Sequence, residues 1–152
     1  MKKSILFDKA VFKTAQEALD FMTNILNSST EYSIIGKDPD GKIVLWNEGA
    51  RLLYGYSPNE VVGKANSSIL YTPEDIANGK PGEILDEALR SGKWEGTLPS
   101  VRKDGSRFTA RVVITPRKDS NGKPIGFLSI SKDATEEIRL TEELKANQFY
   151  TR

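Results

Sequence analysis

Three short segments constrain the fold of this chain more than anything else: Asp38-Pro39-Asp40-Gly41-Lys42, Arg102-Lys103-Asp104-Gly105-Ser106 and Lys118-Asp119-Ser120-Asn121-Gly122-Lys123. Each sets Asp-Gly or Asn-Gly between two β-prone runs, which is the chemistry of a turn that folds the chain back on itself. The flanking runs predict strands over 32–37 and 43–46 around the first turn, and over 94–101, 107–115 and 125–131 around the other two. A hairpin and a three-stranded meander follow, both antiparallel.

Between them, residues 47–92 read as a succession of short capped helices. Asn47 caps one that ends at Gly55, and Ser57-Pro58-Asn59-Glu60 is a capping box with Pro at the first helical position. Thr72-Pro73-Glu74-Asp75 starts a third. The longest covers about 82–91, with Ile84, Leu85, Ala88 and Leu89 on one face and Gly92 as its stop. Short helices over one face of an antiparallel sheet make an α+β layer structure.

Elements flank this body on both sides. Thr14-Ala15-Gln16-Glu17 is a capping box that opens an amphipathic helix, whose Leu19, Met22, Ile25 and Leu26 need a surface to lie against. Strand 43–46 is apolar on both faces and 127–130 less completely so, while the short helices cover only one side of the sheet. The other side therefore calls for the N-terminal helix or a second copy of the chain. Asp133-Ala134-Thr135-Glu136 opens a last helix over 136–149, mostly charged or polar apart from Ile138, Leu140, Leu144 and Ala146. A helix of that length is marginal alone in water, so it is expected to pair or to continue into a longer element.

Composition narrows the chemistry. A length of 152 residues suits one domain, and 22 Lys+Arg against 21 Asp+Glu lacks the basic footprint of a nucleic-acid binder. After Met1-Lys2-Lys3-Ser4 the apolar run Ile5-Leu6-Phe7 is too short for a signal peptide, and no stretch could span a bilayer. A cytoplasmic chain with neither nucleic acid nor membrane as partner is expected. The absence of Cys and His excludes disulfides, thiolate and Ser-His-Asp catalysis, and Cys/His zinc sites. Ser100-Val101-Arg102-Lys103 and Ser120-Asn121-Gly122-Lys123 match a Ser-x-x-Lys spacing, but both fall in or beside turns. No enzyme and no metal site are expected.

Several segments, in order, resemble the PAS sensory domains: Trp46-Asn47-Glu48-Gly49-Ala50 with Leu53-Tyr54-Gly55-Tyr56, Ser57 to Lys64, Gly92-Lys93-Trp94-Glu95-Gly96, Arg102 to Ser106, Gly122 to Phe127, and Asp133-Ala134-Thr135. The resemblance implies a five-stranded antiparallel sheet with short helices on one face, cupping a small pocket, and a signal passed on through terminal helices. It divides the chain into a flanking segment and helix (1–30), the PAS domain (31–135) and a C-terminal linker helix (136–152).

The resemblance also implies a site. The inward set is Leu53, Ile69, Ile84, Leu85, Ala88, Trp94, Leu98, Ala110, Val112, Ile114 and Phe127, with Ser100 and Ser129 as its hydroxyls. Such a lining suits a small apolar molecule, although the same side chains could simply fill a core. Light-sensing members form a flavin photoadduct through a Cys, and Asn66 stands at the matching position, so an FMN adduct is excluded; haem held by His is excluded too. FAD held without an adduct stays as a redox-sensor alternative, favoured by Trp94 and weakened by the lack of amide side chains at Ala110, Val112 and Ile114. Asp133 and Thr135 are implied as the relay, the carboxylate bonding a basic or polar partner and the hydroxyl capping the exit helix. The function expected is ligand sensing relayed to the flanking helices or to a homodimer interface, with an output domain such as a histidine kinase. A ligand-free dimerisation module is the other alternative.

Overall fold

The computed structural model describes residues 6–150. The start of the signal-like run, Met1 to Ile5, lies outside the described residues. Helix α1 (Ala15–Ser28) starts at the Thr14–Glu17 capping box. Strands β1 (Ser33–Lys37) and β2 (Ile43–Trp46) form the first hairpin. Four short helices follow: α2 (Glu48–Tyr54), α3 (Pro58–Val61), α4 (Pro73–Ala77) and α5 (Lys80–Ser91), with a 3-10 turn over Ser67–Leu70 between α3 and α4. Strands β3 (Trp94–Val101), β4 (Arg107–Lys118) and β5 (Pro124–Asp133) make the meander, and α6 (Thr135–Tyr150) leaves it.

The sheet has five strands in the order β2-β1-β5-β4-β3, all paired antiparallel. β1 and β5, far apart in sequence, lie side by side in it and join the hairpin to the meander. Each turn works as its residues predict. Asp38 Oδ1 accepts from the N–H of Asp40 and of Lys42, both at 2.9 Å, and Asp119 Oδ1 accepts from Asn121 at 2.8 Å and Lys123 at 3.0 Å. Gly41, Gly105 and Gly122 take the positive φ that closes these turns, between 82° and 93°.

Some boundaries differ from expectation. β4 and β5 run on to Lys118 and Asp133, because backbone pairing from Ala110↔Asp133 to Lys118↔Pro124 continues past the apolar runs that signalled the strands. α5 starts at Lys80, before Gly82, with Pro81 in its first turn. Its buried seam is Ile84 and Ala88, four residues apart, which leaves Leu89 47% exposed rather than on the core face.

The apolar two-sidedness of β2 resolves through a register shift at Gly36/Lys37. Ile43 and Trp46 turn inward, while Val44 is set outside the pairing and exposed. On the outer face Ile130 is exposed too. α1 does not cover that face. No residue of α1 is buried, and Leu19, Met22 and Ile25 are open to solvent. Phe12 packs between Phe7 and Phe21, with ring centroids 5.5 and 5.1 Å away, so the N-terminal segment folds against its own helix instead.

The end of α1 is nevertheless fixed. Asn47, fully buried, caps α2 by accepting from Ala50 N–H at 2.9 Å, and accepts from Ile34 N–H at 2.8 Å. Its amide donates to the carbonyls of Leu26 at 2.8 Å and Ser29 at 3.1 Å. Gly49 allows this junction to close, since a Cβ there would stand 1.9 Å from the Tyr32 carbonyl oxygen.

Candidate functional site

Alternation along the strands decides what faces the helices. β1 turns Ser33, Ile35 and Lys37 inward, β5 turns Phe127, Ser129 and Ser131 inward, and β4 does the same with Phe108, Ala110, Val112 and Ile114; all are buried. Helix α2 lowers Tyr54 onto this surface, and an antiparallel bridge from Tyr71 to Ser100 fixes the segment after the 3-10 turn over β3. Between sheet and roof lies a cavity of about 20 Å³, lined by Ile35, Lys37, Tyr54, Ser67, Leu70, Tyr71, Leu98, Ser100, Val112, Ile114 and Ser129.

Five of the residues expected inward line this cavity: Leu98, Ser100, Val112, Ile114 and Ser129. Ile84, Ala88, Ala110 and Phe127 are buried in the surrounding core without reaching it. Leu53, Ile69, Leu85 and Trp94 are only partly buried and pack at the margin of the core. The expectation of an almost wholly apolar lining needs correction, because Lys37, Tyr54, Tyr71 and Ser67 bring four more polar groups to the wall. Asn66 is exposed at its hydrogen bonds, capping the 3-10 turn and donating to the Asp40 carbonyl at 2.9 Å. The next residue, Ser67, is the one that faces the cavity.

Lys37 stands out electrostatically. It is 3% exposed, and burial pushes its ammonium down from the ordinary lysine value to about 8. None of the ion pairs among the described residues includes it. Burial likewise raises the Tyr71 phenol, with smaller contributions from Tyr54 and Asp75, and raises the Tyr54 phenol. Tyr54 Oη lies 3.0 Å from Ser131 Oγ, which in turn pairs closely with Ser33.

At the exit of the sheet, Asp133 and Thr135 do meet partners, with one change of role. Asp133 Oδ1 accepts from Thr135 N–H and Oδ2 from Arg102 Nη2, both at 2.9 Å. The Thr135 hydroxyl does not cap its own helix: it accepts from Thr109 N–H of β4 at 2.9 Å. The carboxylate takes the first helical N–H instead. Partial burial opposes ionisation of Asp133, yet the Thr135 bonds and the Arg102 charge hold it below the ordinary value. Arg102 also donates from Nε to the Leu53 carbonyl of α2 at 3.1 Å and lies 4.2 Å from the Phe108 ring centroid. One guanidinium thus touches the roof, the core and the root of α6.

Comparison with known proteins agrees with this plan. The family described as PAS domain matches residues 30–136. Two-component system protein A of Emericella nidulans is 44% identical over 112 residues, covering 74% of this chain and 16% of that protein. A blue-light-activated histidine kinase of Brucella anthropi is 33% identical over 108 residues, covering 70% of this chain and 21% of its own. Among solved structures, a PAS domain from Colwellia psychrerythraea superposes with a TM-score of 0.70 at 27% identity, over 78% of this chain and 98% of that one. A light-oxygen-voltage domain studied with a flavin analogue superposes at 0.60 with 26% identity, over 85% and 96%. An α+β sensory domain is the class that fold and comparisons define together. The chain belongs to the PAS domain family, and relatives in two-component sensors and photoreceptors make it a sensory signal-transduction module. It spans about a fifth or less of the length of these two curated relatives. Among the described residues, no helix is long and apolar enough to cross a membrane.

Proposed function

We propose that this chain is the sensor of a two-component signalling protein, taking a small molecule into the cavity beneath α2 and passing its presence to α6. The observation that carries the reading is the uncompensated Lys37 ammonium on the cavity wall. A core built only for stability has no use for a buried charge without a counter-ion, which costs several kcal/mol by order of magnitude. The route outward runs from Tyr54 on the cavity wall along α2 to Leu53, whose carbonyl holds Arg102, and from Arg102 to Asp133. A histidine kinase output following α6 is part of this proposal, supported by the names of the relatives.

Flavin does not fit the residues present. The cavity wall has no Asn or Gln to read a ring edge, and about 20 Å³ is room for roughly one water. The photoadduct position holds no thiol in a chain without Cys. A second reading, a homodimer held through its outer faces, is favoured by one observation: the apolar stripe of α1 and, on the sheet, Ile130 are both exposed.

Native mass spectrometry of the purified chain tests the sensor reading. A small molecule should leave with the wild-type protein, and Ser129→Leu, which fills the cavity with an isobutyl group, should abolish it. A wild-type chain that carries nothing and takes up nothing from a metabolite extract would leave dimerisation as the function.

A further inference from the structure

Among the polar side chains on the cavity wall the Lys37 ammonium can only donate, whereas the Tyr and Ser hydroxyls donate or accept. Among the described residues, no sealed side-chain N or O lacks a hydrogen-bond partner. The Lys37 ammonium, the Tyr71 hydroxyl and the Ser129 hydroxyl nevertheless take part in no hydrogen bond among the described residues, so each retains some accessible surface, and all three residues line the cavity. An ammonium carries three donors and no acceptor. Tyr71 stays protonated, since burial raises its phenol, and offers a fourth donor. Ser100 is already committed, donating to the Leu98 carbonyl at 3.3 Å.

A neutral apolar guest would leave these donors unmet and the charge uncompensated. A guest that brings acceptors and one negative charge would satisfy both at once, through charge-assisted hydrogen bonds in a water-poor site. We propose that the cavity binds a small monocarboxylate, with its carboxylate against Lys37, Tyr71 and Ser129 and its short alkyl end toward Leu98, Val112 and Ile114. This rests on the sensor reading of the same cavity and replaces the apolar molecule expected from the sequence with an anionic one. The cavity as it stands holds roughly one water, so a guest enters only as side chains on its wall give way, and the smallest acids, formate and acetate, ask for the least displacement.

Methyl NMR of the whole chain, titrated with acetate and separately with acetamide at matched ionic strength, tests the proposal. Acetate should shift the methyls of Ile35, Val112 and Ile114 saturably, and acetamide, a neutral molecule of nearly the same shape, should bind at least tenfold more weakly. Lys37→Met and Lys37→Gln should each weaken acetate at least tenfold with backbone amide spectra that remain dispersed, which separates loss of the charge from loss of the fold. Equal binding of acetate and acetamide, unchanged acetate binding by both variants, or no saturable methyl shift with formate, acetate or propionate would overturn the carboxylate assignment. In each of those cases a neutral molecule found by native mass spectrometry would leave the sensor reading standing, and an empty, unresponsive chain would take both down.

Discussion

Lys37 is where sequence and structure part most sharply at the scale of single residues. It ends an apolar run and precedes a turn, a place where lysine ordinarily reaches solvent. The period of two along Ser33, Ile35 and Lys37 was the available signal, and it placed Lys37 on the same face as Ile35. It goes unheeded when attention rests on apolar positions alone. The consequence is measurable as a pH dependence. Because the folded value of about 8 lies below the unfolded value near 10.5, the unfolded chain binds more protons between the two, and stability rises with pH across that window. Below pH 8 the full cost is present, roughly 3 kcal/mol from the size of the fall. Tyr54 and Tyr71, the titratable side chains beside Lys37 on the cavity wall, remain protonated over this range because burial raises both. Lys37→Met is therefore expected to be more stable than wild type by up to roughly 3 kcal/mol at pH 7, with the gain shrinking as pH climbs from 8 to 10.5. Urea denaturation at several pH values measures this, and a gain independent of pH would show that lysine burial is relieved in solution.

At the scale of elements, capping chemistry was the most legible layer. The Thr14, Asn47, Ser57 and Thr72 starts lie where side-chain oxygens meet orphan N–H groups. Less legible was what an element does after it forms. The Asp133-Ala134-Thr135 segment reads as a helix start, but only the folded chain brings Thr109 and Arg102 to it from β4 and the end of β3. Asp133→Ala removes the acceptor for both Thr135 N–H and Arg102, and should cost about 1 kcal/mol. Amide hydrogen exchange should rise about fivefold in the first turn of α6, and little in α5. Equal protection of α6 in wild type and variant would uncouple the helix from its root. Asn47→Asp is a sharper change. It keeps the cap toward Ala50 but sets a carboxylate oxygen against the Leu26 and Ser29 carbonyls, so a loss of about 2 kcal/mol or more is expected by thermal denaturation. A loss under about 0.5 kcal/mol, the scale of an ordinary surface change, would mean that α1 is not held through this residue.

For the molecule as a whole, the strand order was reachable only in part. Turn residues pair neighbours in sequence, which gives the hairpin and the meander. Nothing local says that β1 will lie beside β5, roughly ninety residues on, and that pairing closes the cavity. The apolar outer face calls for cover, but α1 does not supply it within one chain. If copies associate through Ile130 and the α1 stripe, sedimentation of the chain should be concentration-dependent. Ile130→Asp and Met22→Glu should each hold it monomeric. A wild-type chain monomeric at every concentration would remove the homodimer.

Helix α2 is anchored at both ends. Its first residue follows Asn47, which grips the last turn of the incoming helix, and its last carbonyls hold Arg102 and Lys103, the former bound to the root of the outgoing one. Seven residues at 1.5 Å each make a strut of about 10 Å, and Tyr54 on that strut forms part of the cavity wall. Under the proposed sensor reading, a guest that pushes Tyr54 would tilt a single beam whose two bearings are the places where the polypeptide enters and leaves the domain.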